Sequence, residues 1–245
     1  MDKIMPKCWL DKTKPDLFCP GCGHGIALKQ LGYAIDELNI KDSTTFGIDI
    51  GCSLLAWNFF DIDTIQTHHG RTTPVMVGFK KIKKDRVAIA YMGDGGGYAI
   101  GLQSLLHAAF RNDPITIILI NNGNYGMTGG QMAPTTLQGE ITSTTPNGAP
   151  AGFGDGLKGP ELILGLNNKK AFIARTTVSK PVLMKSILKK GLLNQTENNS
   201  FSFIEVLSIC PTNWKLNAHQ SFEKLDRMES YYPLGVLQGG QNEKK

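Results

Sequence analysis

Much that would direct this chain to a membrane, to secretion or to nucleic acid is scarce or missing. No apolar run is long enough to cross a bilayer. The opening residues Met1-Asp-Lys-Ile-Met-Pro-Lys lack the apolar core of a secretion signal, so a cytoplasmic location is expected. Cysteine is sparse, with five residues at positions 8, 19, 22, 52 and 210, and without a secretory context these thiols are not expected to pair. Aromatic residues make up 8% of the chain, and none interleaves with the densest basic run, Lys80-Lys81-Ile82-Lys83-Lys84. With no recognisable module either, nucleic-acid binding finds no support. At a net charge of +5, that run reads as a solvated helix end or loop before a strand, or as a docking patch for an acidic protein. Internal repeats are absent.

Hydrophobic residues at 41% and charged residues at 19% describe a globular chain with a sizeable core. Residues 1–245 read as one domain, with 1–18 an N-terminal arm and about 215–245 a C-terminal extension. The organising stretch is Val87-Ala-Ile-Ala-Tyr-Met-Gly-Asp-Gly-Gly-Gly, followed by a helix over about 98–111 and a second apolar run, Ile115-Thr-Ile-Ile-Leu-Ile-Asn-Asn. Strand, helix and strand in that order predict a parallel pair with a crossover. Further strands are expected over 44–50, 170–178 and 201–209, with helices after residue 22, from Pro74, and over 180–193. Gln195 to Ser200 reads as a polar turn, Met132 to Pro160 as a long binding loop, and the chain from Gln238 as a frayed tail. The expected fold is α/β, a parallel sheet with helices on both faces.

Asp94, Asn122, Cys52 and Cys210 all fall just past the C-terminal ends of expected strands, the edge along which open α/β sheets bind ligands. Asp94 and Asn122 lie 28 residues apart (122 minus 94), the length of a strand–helix–strand unit. A carboxylate and an amide oxygen beside Gly-rich backbone and a helix start suit a hard divalent cation holding a diphosphate. A second Gly154-Asp155-Gly156 has no preceding strand and reads as a loop. The pair Cys19 and Cys22 at a helix start, with Cys52 and Cys210 far off, suits tetrahedral zinc or an iron–sulfur cluster. Thiolates alone do not separate the two, and the rim shared with the inferred cofactor favours iron.

Gly93-Asp94-Gly95 with Asn121-Asn122 resembles the thiamine-diphosphate signature. Together with Cys19-Pro-Gly-Cys22-Gly-His-Gly, Gly51-Cys52-Ser53, His69-Gly70-Arg71, Tyr125-Gly-Met-Thr-Gly-Gly-Gln-Met-Ala-Pro-Thr135 and Cys210-Pro-Thr-Asn-Trp214, the chain resembles the β subunit of 2-oxoacid:ferredoxin oxidoreductases over about 15–235. The resemblance implies Mg²⁺ on Asp94, Asn122 and the backbone oxygen of Asn124. It implies thiamine diphosphate against Ile50, Gly51, Cys52, Ser53, His69, Gly95, Gly96, Gly126 and Met127. It implies a 4Fe-4S cluster on Cys19, Cys22, Cys52 and Cys210, leaving Cys8 a free thiol. The implied reaction turns a 2-oxoacid and coenzyme A into an acyl-CoA, CO2 and reduced ferredoxin. The stretch Met127 to Thr136 resembles subunits for 2-oxoglutarate or branched-chain 2-oxoacids more than those for pyruvate.

Such cofactors need a carboxylate near the aminopyrimidine, and no second α/β domain is visible here to carry it. Glu161 and Glu205 are acidic candidates outside any matching motif. An α subunit is therefore expected to supply it, with γ and ferredoxin-like δ subunits as further partners, and the chain alone is expected to be inactive. His24 suits either a cofactor contact or a capping and packing role, His107 a structural role, and Arg71 a phosphate contact or a buried salt bridge. Ser53 and Thr128 suit bonds to phosphate or to backbone. Two alternatives remain: a scaffold with a four-cysteine zinc site, and a thiamine-diphosphate decarboxylase that does not use ferredoxin.

Overall fold

A computed structural model describes residues 5–10 and 16–240; the rest of the expected arm and tail lies outside the described residues. Seven strands form the main sheet in the order β2-β1-β3-β4-β8-β7-β9. They are β1 (Thr44–Ile48), β2 (Asp63–Gln66), β3 (Val87–Gly93), β4 (Thr116–Asn121), β7 (Phe172–Thr177), β8 (Ser202–Leu207) and β9 (Gly235–Gly239). All pair in parallel except β9, which runs antiparallel on β7. A short hairpin, β5 (Asn124–Tyr125) with β6 (Gln131–Met132), stands apart.

The central strands are apolar on both sides because both sides are covered. Ile89 and Tyr91 of β3 and Ile118 and Ile120 of β4 face α1 (Gly23–Leu38) and α5 (Pro181–Asn198). The alternate residues Ala88, Ala90 and Met92, with Ile117 and Leu119, face α2 (Thr72–Ile82), α3 (Leu102–Phe110) and α4 (Gly159–Leu164). Each fully buried aliphatic side chain here contributes roughly 1.5–3 kcal/mol. Helix α5 approaches β8 closely because residue 191 is glycine: a Cβ there would stand 2.6 Å from Ile204 Cδ1.

Three expectations are corrected. Helix α5 runs on to Asn198 through the stretch expected as a polar turn. Gln195 there is buried, and its Nε2 donates to the carbonyls of Ala88 (3.0 Å) and Pro114 (2.9 Å). Gln238 lies in β9, and its side-chain amide donates to the carbonyls of Asn168 and Ala171, both at 2.7 Å. Lys80 is buried within the otherwise exposed basic run, and its ammonium closes the turn after α2 on the carbonyls of Lys84 and Arg86. Strand β2, polar and mostly exposed, carries no apolar alternation that would mark it in sequence.

Across the β7–β8 register, Arg175 and Glu205 are partners and both are fully buried. The Arg175 guanidinium bonds Glu205 through Nε and grips Glu161 with Nη1 (2.8 Å) and Nη2 (2.6 Å). Glu205 also accepts from Tyr98 Oη (2.9 Å) and from Asn121 Nδ2 (3.1 Å) at the end of β4. Burial opposes the Arg175 charge, but the two carboxylates outweigh it and raise its pKa, while burial raises the Glu205 carboxyl against the bonds from Arg175, Tyr98 and Asn121. Replacing Arg175→Met leaves Glu205 buried without its counter-ion and should cost about 3–5 kcal/mol. Denaturant midpoints check this, and adding Glu205→Leu should recover part of the loss.

Candidate cofactor site

Strands β3 and β4 lie side by side, with Gly93 opposite Ile120, so the residues that follow them emerge together. Asp94 is buried; its Oδ1 accepts from the Gly95 backbone amide (2.8 Å), and the Thr135 hydroxyl donates to Oδ2. Asn122 Oδ1 accepts from the Asn124 backbone amide (3.2 Å), which folds the chain into a tight turn after β4. The Asn122 carbonyl accepts from Asn124 Nδ2 and from Trp214 Nε1, both at 3.2 Å. Asn124 Oδ1 is buried and has no partner.

Asp94, Asn122 and Asn124 line a cleft together with Ile50, Gly51, Cys52, Ser53, His69, Gly95, Gly96, Gly126 and Met127. His24, Gly93, Ile100, Tyr125 and Thr128 complete it. The glycines here are dictated by space and geometry. Gly51 sits at φ 129°, where L side chains strain. A Cβ on Gly96 would stand 1.8 Å from Asp49 Oδ2.

Burial pushes the Asp94 carboxyl up to about 7, against the hydrogen bonds from Thr135 and Gly95 that favour its charge. A buried carboxylate, neighbouring amide oxygens and an orphaned acceptor form a set of hard donors that suits a small divalent cation. The four remaining cysteines converge at one flank. Burial first, then the other thiols, pushes Cys22 up to about 12 and Cys52 to about 11, and burial raises Cys210 as well. Cys52 belongs to both groups, since it also lines the cleft. Among the described residues, no three His, Cys, Asp or Glu side chains stand so as to hold a single metal ion.

Residues 49–206 match the family described as thiamine pyrophosphate enzyme, C-terminal TPP binding domain. The chain is 37% identical to the 2-oxoglutarate synthase subunit KorB of Methanocaldococcus jannaschii, over 81% of this chain and 70% of that protein. The chain belongs to the β-subunit family of 2-oxoacid:ferredoxin oxidoreductases. It is also 39% identical to the ketoisovalerate oxidoreductase subunit VorA of Methanothermobacter thermautotrophicus over 89% of this chain, though it spans only 46% of that relative. A solved 2-oxoglutarate:ferredoxin oxidoreductase from Magnetococcus marinus, with 2-oxoglutarate, coenzyme A and succinyl-CoA bound, superposes with a TM-score of 0.80 at 28% identity, covering 97% of this chain and 86% of that one.

Several members of this β-subunit site carry no role that the sequence alone assigns, although Tyr125, Thr135 and Trp214 fall within its motifs. Asp49 is buried, and its Oδ1 accepts from the Gly70 backbone amide (2.8 Å) and from Thr72 Oγ1 (3.2 Å), fixing the loop that carries His69. Thr135 holds Asp94, and the Tyr232 hydroxyl in turn donates to the Thr135 carbonyl (2.9 Å). Helix α6 (Pro211–Trp214) brings Trp214 to Asn122. Helix α7 (Ala218–Tyr231) pins the long loop through Lys224–Glu140 and through Tyr231 Oη donating to the Gly156 carbonyl (3.0 Å). Tyr125, in β5, packs its ring where a Cβ on Gly95 would fall.

Other expectations are corrected or resolved. Arg71 is exposed at the start of α2, which excludes a buried salt bridge. Glu161 and Glu205 are engaged by Arg175. His107 is exposed on α3, and the Thr128 hydroxyl donates to Gln131 Oε1 (2.6 Å). Cys8 is a buried free thiol, pushed up to about 12 by burial, with Sγ donating to the Gly32 carbonyl (3.4 Å).

His24 packs rather than caps: it is buried, stacks on Phe18 at 4.9 Å and places Nδ1 2.7 Å from Tyr91 Oη. Burial holds this imidazole at about 3, against an ordinary 6.5. A depressed folded value means that stability is full above the ordinary value and falls with pH from there toward 3, by at most a few kcal/mol, roughly. His24→Gln should therefore flatten that acid limb, as denaturant midpoints measured across the range will show.

Proposed function

We propose that this β subunit binds Mg²⁺ and thiamine diphosphate in the cleft and a 4Fe-4S cluster on Cys19, Cys22, Cys52 and Cys210. With an α subunit it would oxidise a 2-oxoacid and coenzyme A to an acyl-CoA and CO2, passing the electrons to ferredoxin. The observation that carries this reading is Cys52, which lines the cleft and whose thiol is raised by burial and, to a lesser degree, by the nearby Cys210 and Cys19 thiols. Two chemically different sites meet at one residue.

Asp94, Asn122 and the Asn124 backbone oxygen would hold the cation, and Gly95 and Gly96 leave room for phosphate against backbone. Ile50, Gly51, Ser53, His69, Gly126 and Met127 would border the cofactor body. The bound cofactor supplies the carbon nucleophile and electron sink that decarboxylation requires. Asp94 must shed its proton to take the cation, which a value near 7 permits at neutral pH. Thr135 aims the carboxylate, and Asp49 aims the loop bearing His69.

Thiols this buried resist ionisation unless a metal centre shares their charge. A single tetrahedral zinc would draw all four sulfurs to one point, whereas a cluster gives each thiolate its own iron and leaves them wider apart. For substrate, the relatives named for 2-oxoglutarate and ketoisovalerate support the preference read from residues 127–136. A cytoplasmic location suits five unpaired thiols. Among the described residues no helix is long and apolar enough to cross a membrane.

Anaerobically purified protein should contain iron and acid-labile sulfide at about four each per chain, with visible absorption bleached by dithionite. The chain alone should not turn over, and its α subunit should restore coenzyme-A-dependent reduction of a viologen by a 2-oxoacid. One zinc without iron, or robust turnover by the chain alone, would overturn the assignment. Replacing Thr135→Val, which frees the Asp94 carboxylate to rotate, should weaken Mg²⁺–thiamine diphosphate binding by about 10–100-fold in calorimetry.

A further inference from the structure

Cys210 is followed by a helix only four residues long, and two of those residues reach back to the cofactor loops. Asn213 Nδ2 donates to the Gly126 carbonyl at 2.7 Å and to Cys210 Sγ at 3.5 Å. An amide NH₂ has two hydrogens, so both bonds coexist. Trp214 Nε1 donates to the Asn122 carbonyl, while its own backbone amide donates to the Cys210 carbonyl (3.0 Å).

The contact is tight on every side. A Cβ on Gly130 would stand 2.9 Å from Asn213 Cβ, and one on Gly126 would stand 3.0 Å from Cys52 Sγ. Cys210 is 8% exposed, so the N–H···S bond acts in a medium of low dielectric, where it counts for more than in water. Nothing in the metal or diphosphate chemistry of the cleft requires an amide at position 213.

We infer that Asn213 is a positioning residue that ties a thiolate of the electron-accepting centre to the backbone bordering the cofactor, so that the centre's reduction potential responds to whether the cleft is filled. The inference rests on the four-cysteine assignment above. Added negative charge on the Cys210 sulfur is stabilised by N–H donors, and donors to cluster sulfurs are among the levers that set such potentials. Because the same amide holds the Gly126 carbonyl, a ligand that shifts this carbonyl also shifts the donor.

The test is a dithionite titration, followed by electron paramagnetic resonance, of the enzyme assembled with its partner subunits, with and without Mg²⁺–thiamine diphosphate. Asn213→Leu removes the donor at similar volume, and Asn213→Asp keeps the shape if the first variant fails to assemble. Relative to wild type, Asn213→Leu should disfavour reduction of the centre by up to about tenfold, which is 59 mV for one electron. The shift in potential that the cofactor induces in wild type should shrink or vanish in either variant. Unchanged potentials in variants that carry a full complement of iron, or a cofactor-induced shift that survives them, would overturn the inference while leaving the cluster assignment intact. Wild-type enzyme without iron on this chain would overturn both.

Discussion

Everything chemical in this molecule hangs on the parallel pairing of β3 and β4. Their register places Gly93 beside Ile120, so a carboxylate and a carboxamide from residues far apart in sequence leave the sheet at one level. Flanking strands extend the same rim, from Asp49 to Cys52 after β1 and to Cys210 after β8. Parallel strands all present their C-terminal ends in one direction, which is why so many functional side chains gather without a dedicated active-site domain.

That gathering has an electrostatic cost. Asp94, Cys22, Cys52 and Cys210 all resist ionisation where they stand, chiefly through burial. The Arg175–Glu205–Glu161 cluster shows how the chain balances charge when the purpose is structural: each buried charge meets its opposite at hydrogen-bond distance. At the rim the opposite charges are not supplied in the same way. The two treatments of buried charge, in one sheet, set the groups that serve the fold apart from those on which the proposed cofactors would act.

The sheet, its flanking helices and most of the cleft were legible in the sequence because they rest on local signals. Apolar runs ending in Gly93-Asp94-Gly95 and Asn121-Asn122 state both the strand and where it stops. What escaped notice was the support around them. Asp49 sits in a strand-like run and reads as an ordinary residue, yet it fixes a loop 21 residues away. Thr135 reads as part of a long loop, and only the fold brings it to Asp94 across 41 residues. The polar end of α5 looked like a turn because burial of Asn194 and Gln195 against the sheet is a tertiary fact. Likewise β2 and β9 are edge strands, one polar and one bounded by glycines at both ends, so neither carries a strong period of its own.

The bond from Tyr232 to Thr135, and from Thr135 to Asp94, has a temporal meaning. During synthesis β3 and β4 leave the ribosome well before Tyr232 does, so the carboxylate at residue 94 gains its last support only when α7 has emerged and docked. Until then the nascent sheet exposes one bare edge and an unpinned loop, the state in which long-range α/β pairings are slowest to form and most open to aggregation. The surroundings of Asp94 are thus completed late, and a chain stalled before α7 has the cleft residues without their final geometry.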